Sequence, residues 1–193
     1  MARRPAGGLH LAEWACEALG TALLLLAGFC VVAALLSPRS PVARALPGAT
    51  LRLALVGLAF GALAALIAVS PIGRRSGAHL NPAVTLAFWL RGDAHPHDLA
   101  GYWAAQCLGA VAGTALFAAA LGPWARSVGT ARTDPAPVGA PRALLIEAAL
   151  TGALVLAVLA ALSVPRLCRR TPLVVVAALA VLMLFTSLFP FLY

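Results

Sequence analysis

Five long apolar stretches, each close to the ~20 residues that one bilayer crossing needs, restrict this chain more than any other feature. They run from about Ala15 to Leu36, Leu51 to Pro71, Leu99 to Leu121, Ala143 to Val164 and Leu173 to Tyr193. A lipid core offers no water to satisfy backbone N–H and C=O groups, so such stretches fold as continuous helices. Composition agrees: 62% of the 193 residues are hydrophobic and 10% are charged, which excludes an ordinary soluble domain. The implied fold class is all-α, an integral membrane helical bundle with five full spans.

Between the second and third stretches lies Ser76-Gly77-Ala78-His79-Leu80-Asn81-Pro82-Ala83-Val84-Thr85, which holds the only asparagine of the sequence. Asn is a strong helix N-cap, because its side-chain oxygen accepts a bond from an orphan backbone N–H. Pro is favoured at the first helical position, where no N–H is needed. A helix is therefore expected from Pro82 to Leu90, stopped by Arg91-Gly92-Asp93. At a rise of roughly 1.5 Å per residue it spans about 13 Å, less than half of a ~30 Å hydrocarbon core. It reads as a half-helix that dips into the membrane and returns to its own side. Gly73 to Leu80 forms the re-entrant loop, with Gly73 and Gly77 supplying backbone freedom. Irregular backbone at that depth is tolerable only when surrounded by protein or lining a water-filled cavity, so the loop argues for a cavity.

All 14 basic residues are arginines. With the N-terminus inside, Arg3, Arg4, Arg74, Arg75, Arg91, Arg166, Arg169 and Arg170 are cytoplasmic, and Arg39, Arg44, Arg52, Arg126, Arg132 and Arg142 are external. The eight-to-six split favours that orientation. The formal charge of +8 is thus a topology signal, with affinity for anionic headgroups, and not evidence for a nucleic-acid partner. The first apolar run reaches Leu36, longer than a signal-peptide core, and reads as a retained span in a multi-pass protein of the cell's inner membrane. Cys16, Cys30, Cys107 and Cys168 lack metal-ligand or disulfide spacing and read as buried thiols. His95-Pro96-His97-Asp98 reads as a solvated connection with an Asp near a helix start. Thr130 to Pro141, rich in Pro and Gly, reads as an external linker.

Glu17-Ala-Leu-Gly-Thr21 in the first span recurs as Glu147-Ala-Ala-Leu-Thr151 in the fourth, with Glu and Thr both displaced by 130 residues. An odd number of spans separates the copies, so the second crosses in the opposite direction. Inverted repeats of this kind place solute sites at the midplane between them. The same displacement carries Asn81 to a position near 211, beyond Tyr193. The expected organisation is one membrane domain, 1–193, with a first repeat over 1–121 and an incomplete second over 143–193.

The segment from Ser76 to Thr85 resembles the first signature loop of the aquaporins, or major intrinsic proteins. Further similarity lies in Glu17 to Thr21, Ala59-Phe60-Gly61, Gly101-Tyr102-Trp103-Ala104-Ala105-Gln106 and Glu147 to Thr151. The resemblance implies an aquaporin-like inverted repeat carrying one re-entrant half-helix. It also implies a passive, non-enzymatic channel for water or a small neutral solute, assembled as a homotetramer and needing no cofactor. Family members carry six spans and two signature loops, so the sequence reads either as a C-terminal truncation or as a short natural member. The alternative to a channel is a non-conducting, truncated membrane protein of the same fold with a structural or interaction role.

By the same resemblance, Asn81-Pro82-Ala83 is the signature triplet. Asn81 is its selectivity residue, donating its amide N–H to a passing oxygen while Gly77, Ala78 and His79 offer backbone carbonyls. Glu17 buttresses the His79 loop, and Glu147 would buttress a second loop. Phe60 matches an aromatic position of the narrow filter, and its not being Trp favours water. Counting five back from Pro190, Phe185 takes the filter position on the fifth span, where water channels usually carry His and glycerol channels Gly.

Overall fold

The computed structural model describes residues 9–46, 48–128 and 139–188, the side chains of 187 and 188 excepted. The elements in chain order are α1 (Leu11–Leu36), α2 (Pro41–Ala45), α3 (Ala49–Val69), α4 (Pro71–Ser76), α5 (Pro82–Leu90), α6 (Pro96–Ser127), α7 (Ala140–Ser163), a 3₁₀ turn (Cys168–Arg170) and α8 (Thr171–Leu188). Five of the helices are long and apolar enough to cross a membrane, and α5 has nine residues.

Close backbone packing sets the bundle. α1 and α6 run parallel, and a Cβ at Gly109 or Gly113 would overlap the carbonyl of Ala18 or Ala22. In lipid, where hydrophobic burial does not drive helices together, small residues that let backbones touch supply the van der Waals gain. α3 and α8 cross antiparallel through the same device, with Gly57 against Met183 and Gly61 against Val176. Farther along α1 and α6, Phe29, Ala33, Phe117 and Ala125 form an apolar cluster, the Phe29 and Phe117 rings 5.5 Å apart.

Several expectations change. The loop placed over Gly73 to Leu80 is shorter, because Ser70 caps α4 by accepting from Gly73 N at 3.3 Å and Pro71 fills its first position. Gly73 is helical; its lack of a side chain admits the Ile67 carbonyl and does not open a loop. The third span extends past Leu121 to Ser127 across a kink, where Gly122 at φ 31 absorbs the backbone break beside Pro123. Of the linker, 130–138 lie outside the described residues, and Ala140 and Pro141 already belong to α7. The last residues of the fifth span, 189–193, also lie outside them, as do Arg3, Arg4 and Arg132.

Cys30, Cys107 and Cys168 are exposed, and Cys16 is only partly buried. A thiol is a small apolar group, and on spans whose outside is also apolar Cys30 and Cys107 have no reason to turn inward; Cys168 lies in the exposed turn before α8. Asp98 is 6% exposed and is not part of a solvated loop. It accepts from Trp14 Nε1 at 3.0 Å and pairs with His10 Nδ1 at 2.8 Å, tying the start of α6 to the start of α1.

Candidate functional site

The site grows from the start of α5. Asn81 has extended backbone (φ −152, ψ 130), and its Oδ1 accepts from Ala83 N at 2.8 Å. Its carbonyl accepts from Thr85 N at 3.0 Å and from Thr85 Oγ1 at 3.2 Å. With the side-chain oxygen consumed by the cap, the polar group that Asn81 has left to present is its amide NH₂.

The loop before Asn81 is conformationally demanding. Gly77 (φ 97), Ala78 (φ 51) and Leu80 (φ 52) all lie in the left-handed region. For residues with a Cβ this costs roughly 1–2 kcal/mol each, so surrounding contacts must fix it. Glu17, 0% exposed on α1, supplies them. Its Oε1 accepts from His79 N at 2.9 Å and its Oε2 from Leu80 N at 2.8 Å. Gln106 Nε2 on α6 donates to the same Oε2 at 2.8 Å and to Thr85 Oγ1 at 3.0 Å. Each bond to the carboxylate brings it a donor, which is how an intramembrane acidic group becomes tolerable. All peptide bonds described are trans. Turning the N–H groups of His79 and Leu80 toward Glu17 therefore turns the carbonyls of Ala78 and His79 away from it.

A second ring of contacts locks the first. Tyr102 OH donates to the Ser76 carbonyl at 2.6 Å, and Ser76 Oγ accepts from Ala78 N at 3.1 Å. The His79 ring stacks on Phe88 at 4.5 Å and meets the Tyr102 ring edge-on at 5.1 Å, with its Nδ1 3.2 Å from Thr85 Oγ1. Trp103 Nε1 donates to the Pro82 carbonyl at 3.0 Å, so α6 grips the first turn of α5. Thr21 Oγ1 and Gln106 Oε1 are buried without a partner among the described residues.

Gly77, Ala78, His79, Asn81, Pro82, Ala83 and Glu17 are thus assembled around the start of α5. The other named positions lie apart. Phe60, on α3, rests its ring on Gly28, eleven residues along α1 from Glu17, or about 16 Å at the helical rise. Phe185 is on α8 and 45% exposed; Pro190, from which its position was counted, is outside the described residues. Glu147 is half-buried on α7. Sequence reasoning gave no role to Gln106, Thr85, Tyr102 or Ser76. The signal for Gln106 was available, since it is the only glutamine of the chain and stands in an apolar span.

The pattern of the major intrinsic protein family matches residues 9–190. Over 106 residues the chain is 42% identical to the probable aquaporin AqpM of Archaeoglobus fulgidus, a match covering 54% of this chain and 43% of that protein. It is 38% identical over 99 residues to the glycerol uptake facilitator protein-like 6 of Lactiplantibacillus plantarum, covering 50% and 44%. With the lens fiber major intrinsic protein of Rattus norvegicus it shares 41% over 105 residues, covering 54% and 40%. The matched stretch thus spans less than half the length of each of these relatives. A family match that runs from α1 through the loop and α5 to α8 covers every described residue, and the chain belongs to the major intrinsic protein family.

Proposed function

We propose that the protein is a passive, non-enzymatic membrane channel for water or a small neutral solute, on a path that passes Asn81. One observation carries this reading: a half-helix start whose Asn side-chain oxygen is occupied by its own cap. That leaves an amide donor at the positive end of a helix, with the Ala78 and His79 carbonyls turned away from the Glu17 clamp as acceptors. Donors and acceptors in series suit a solute that can both give and take hydrogen bonds, and the positive helix end disfavours cations.

In this reading residues 1–121 and 143–193 are two repeats of one domain. Phe60 and Phe185 belong to the narrow part of the path, and Glu147 supports a second loop as Glu17 supports the first. The assembly is a homotetramer in the cell's inner membrane, N-terminus cytoplasmic. The alternative, a non-conducting membrane protein of the same fold, is favoured by the presence of one Asn-capped half-helix among the described residues. Stopped-flow osmotic shrinkage of proteoliposomes separates the two. A water permeability several-fold above that of protein-free liposomes, without added proton leak, is expected; shrinkage at the protein-free rate would leave the non-conducting reading.

A further inference from the structure

Six arginines gather at one end of the bundle. α1 packs antiparallel to α3, with Gly20 meeting Ile67 and Gly28 meeting Phe60, and α3 packs antiparallel to α8. The start of α1, the end of α3 with α4, and the turn before α8 therefore share one membrane face. His10 and Asp98 bring the start of α6 to the same face. It holds Arg74 and Arg75 on α4, Arg91 after α5, and Arg166, Arg169 and Arg170 between α7 and α8.

Acidic partners reach only some of these. Arg75 Nε is 3.7 Å from Glu13, and Arg91 Nε is 3.0 Å from Asp93. Asp98 is already held by His10 and Trp14. Arg166, Arg169 and Arg170 are exposed and make no ion pair with the described residues.

The turn that carries them does not need their side chains for its shape. Leu167 N and Cys168 N donate to the Val164 carbonyl at 2.9 and 3.0 Å, and Arg170 N to the Leu167 carbonyl at 2.7 Å. Thr171 Oγ1 donates to the Cys168 carbonyl at 2.9 Å, which closes the turn onto α8. Three guanidinium groups are thus presented on a self-bonded turn between two spans. Exposed Val164 and Leu167 stand beside them, apolar neighbours that suit the boundary between acyl chains and headgroups.

We propose that the turn from Arg166 to Arg170 is a binding site for anionic phospholipid, with its guanidiniums engaging headgroup phosphate. A guanidinium is planar and donates in a fork that matches phosphate oxygens, and it is weakly hydrated, so it gives up water readily at a membrane surface. Its place between two apolar spans, its uncommitted charge and its exposed apolar flanks favour a lipid over a free anion. The site stands independently of whether the chain conducts.

The test compares spin-labelled phosphatidylglycerol with spin-labelled phosphatidylcholine in proteoliposomes, read as the relative association of each lipid with the protein by electron paramagnetic resonance. The protein is expected to prefer phosphatidylglycerol, and R166Q/R169Q/R170Q to lower that preference by roughly five-fold or more, the effect of at least one arginine near a charged surface. The corresponding triple Lys change keeps most of it. Inorganic phosphate at matched ionic strength leaves it unchanged. If the triple Gln protein does not fold, the three single Gln changes are measured instead, each lowering the preference. Unchanged preference in the Gln variants, or its abolition by inorganic phosphate, would overturn the proposal.

Discussion

Glu17 shows how one side chain decides the geometry of a loop 62 residues away in sequence. Its two oxygens take three donors, and two of them are backbone N–H groups of a segment in left-handed conformation. Replacing the carboxylate by an amide of the same shape puts a donor where the loop also offers donors, and a buried unsatisfied N–H costs about 1–3 kcal/mol. Glu17→Gln is therefore expected to lower the unfolding temperature in detergent micelles, and Glu17→Ala to lower it further, since both loop N–H groups and Gln106 then lose their acceptor. Unfolding of Glu17→Ala at the wild-type temperature would show that the clamp contributes nothing. Thr85→Val is close to isosteric but removes one of the two acceptors for Gln106, so a smaller loss of about 1 kcal/mol is expected. Gln106 and Thr85 were harder to see than Glu17 because nothing local marks a hydrogen-bond partner. Gln106 stands 89 residues from Glu17 and 21 from Thr85, and only the fold brings them together.

At the scale of elements, α5 was legible to the residue because Asn-Pro at one end and Arg-Gly-Asp at the other are local signals. α4 carries the same kind of start, Ser70-Pro71, and ends on Gly77 at φ 97, yet from the sequence Pro71 reads as the close of the second span and Gly73 onward as loop. Its signal sits at the end of a long apolar run, where it resembles the close of a span and not the start of a new helix. Asp98 does stand in the first turn of a helix, as expected, but its burial was not legible for a different reason: its partners, His10 and Trp14, lie 88 and 84 residues away, so its burial is a tertiary fact. The burial expected of Cys30 and Cys107 does not hold because burial rules from soluble proteins lose their force when the surroundings are apolar.

The packing of α1 on α6 makes its own prediction. A side chain at Gly109 has no space beside the Ala18 carbonyl, so Gly109→Leu must push the helices apart. Overpacking of this kind costs typically 1–3 kcal/mol. Because Gln106 lies one turn before Gly109, the displacement also draws Gln106 from Glu17. Both a reduced midpoint in a denaturing-detergent titration and a smaller effect of a second change at Gln106 are expected. Full additivity of Gly109→Leu with Gln106→Leu would show that the helix contact and the clamp are independent.

On the scale of the molecule, the chain is a multi-pass membrane protein of the major intrinsic protein family. Its parallel α1 and α6 and its antiparallel α3 and α8 make a frame in which one polar cluster, from Glu17 to Asn81, is set among apolar helices. We propose that this cluster presents the Asn81 amide to a solute, and the cap offers a direct way to test it. Asp caps a helix about as well as Asn, so Asn81→Asp keeps an oxygen for Ala83 N and replaces the donor NH₂ by an acceptor carrying charge. The decisive measurement is the osmotic water permeability of proteoliposomes containing the wild-type or the Asn81→Asp protein, at equal incorporation and with unchanged helical content. Fast shrinkage is expected for the wild type, and a rate near that of protein-free liposomes for Asn81→Asp. Equal permeability of the two proteins would contradict it.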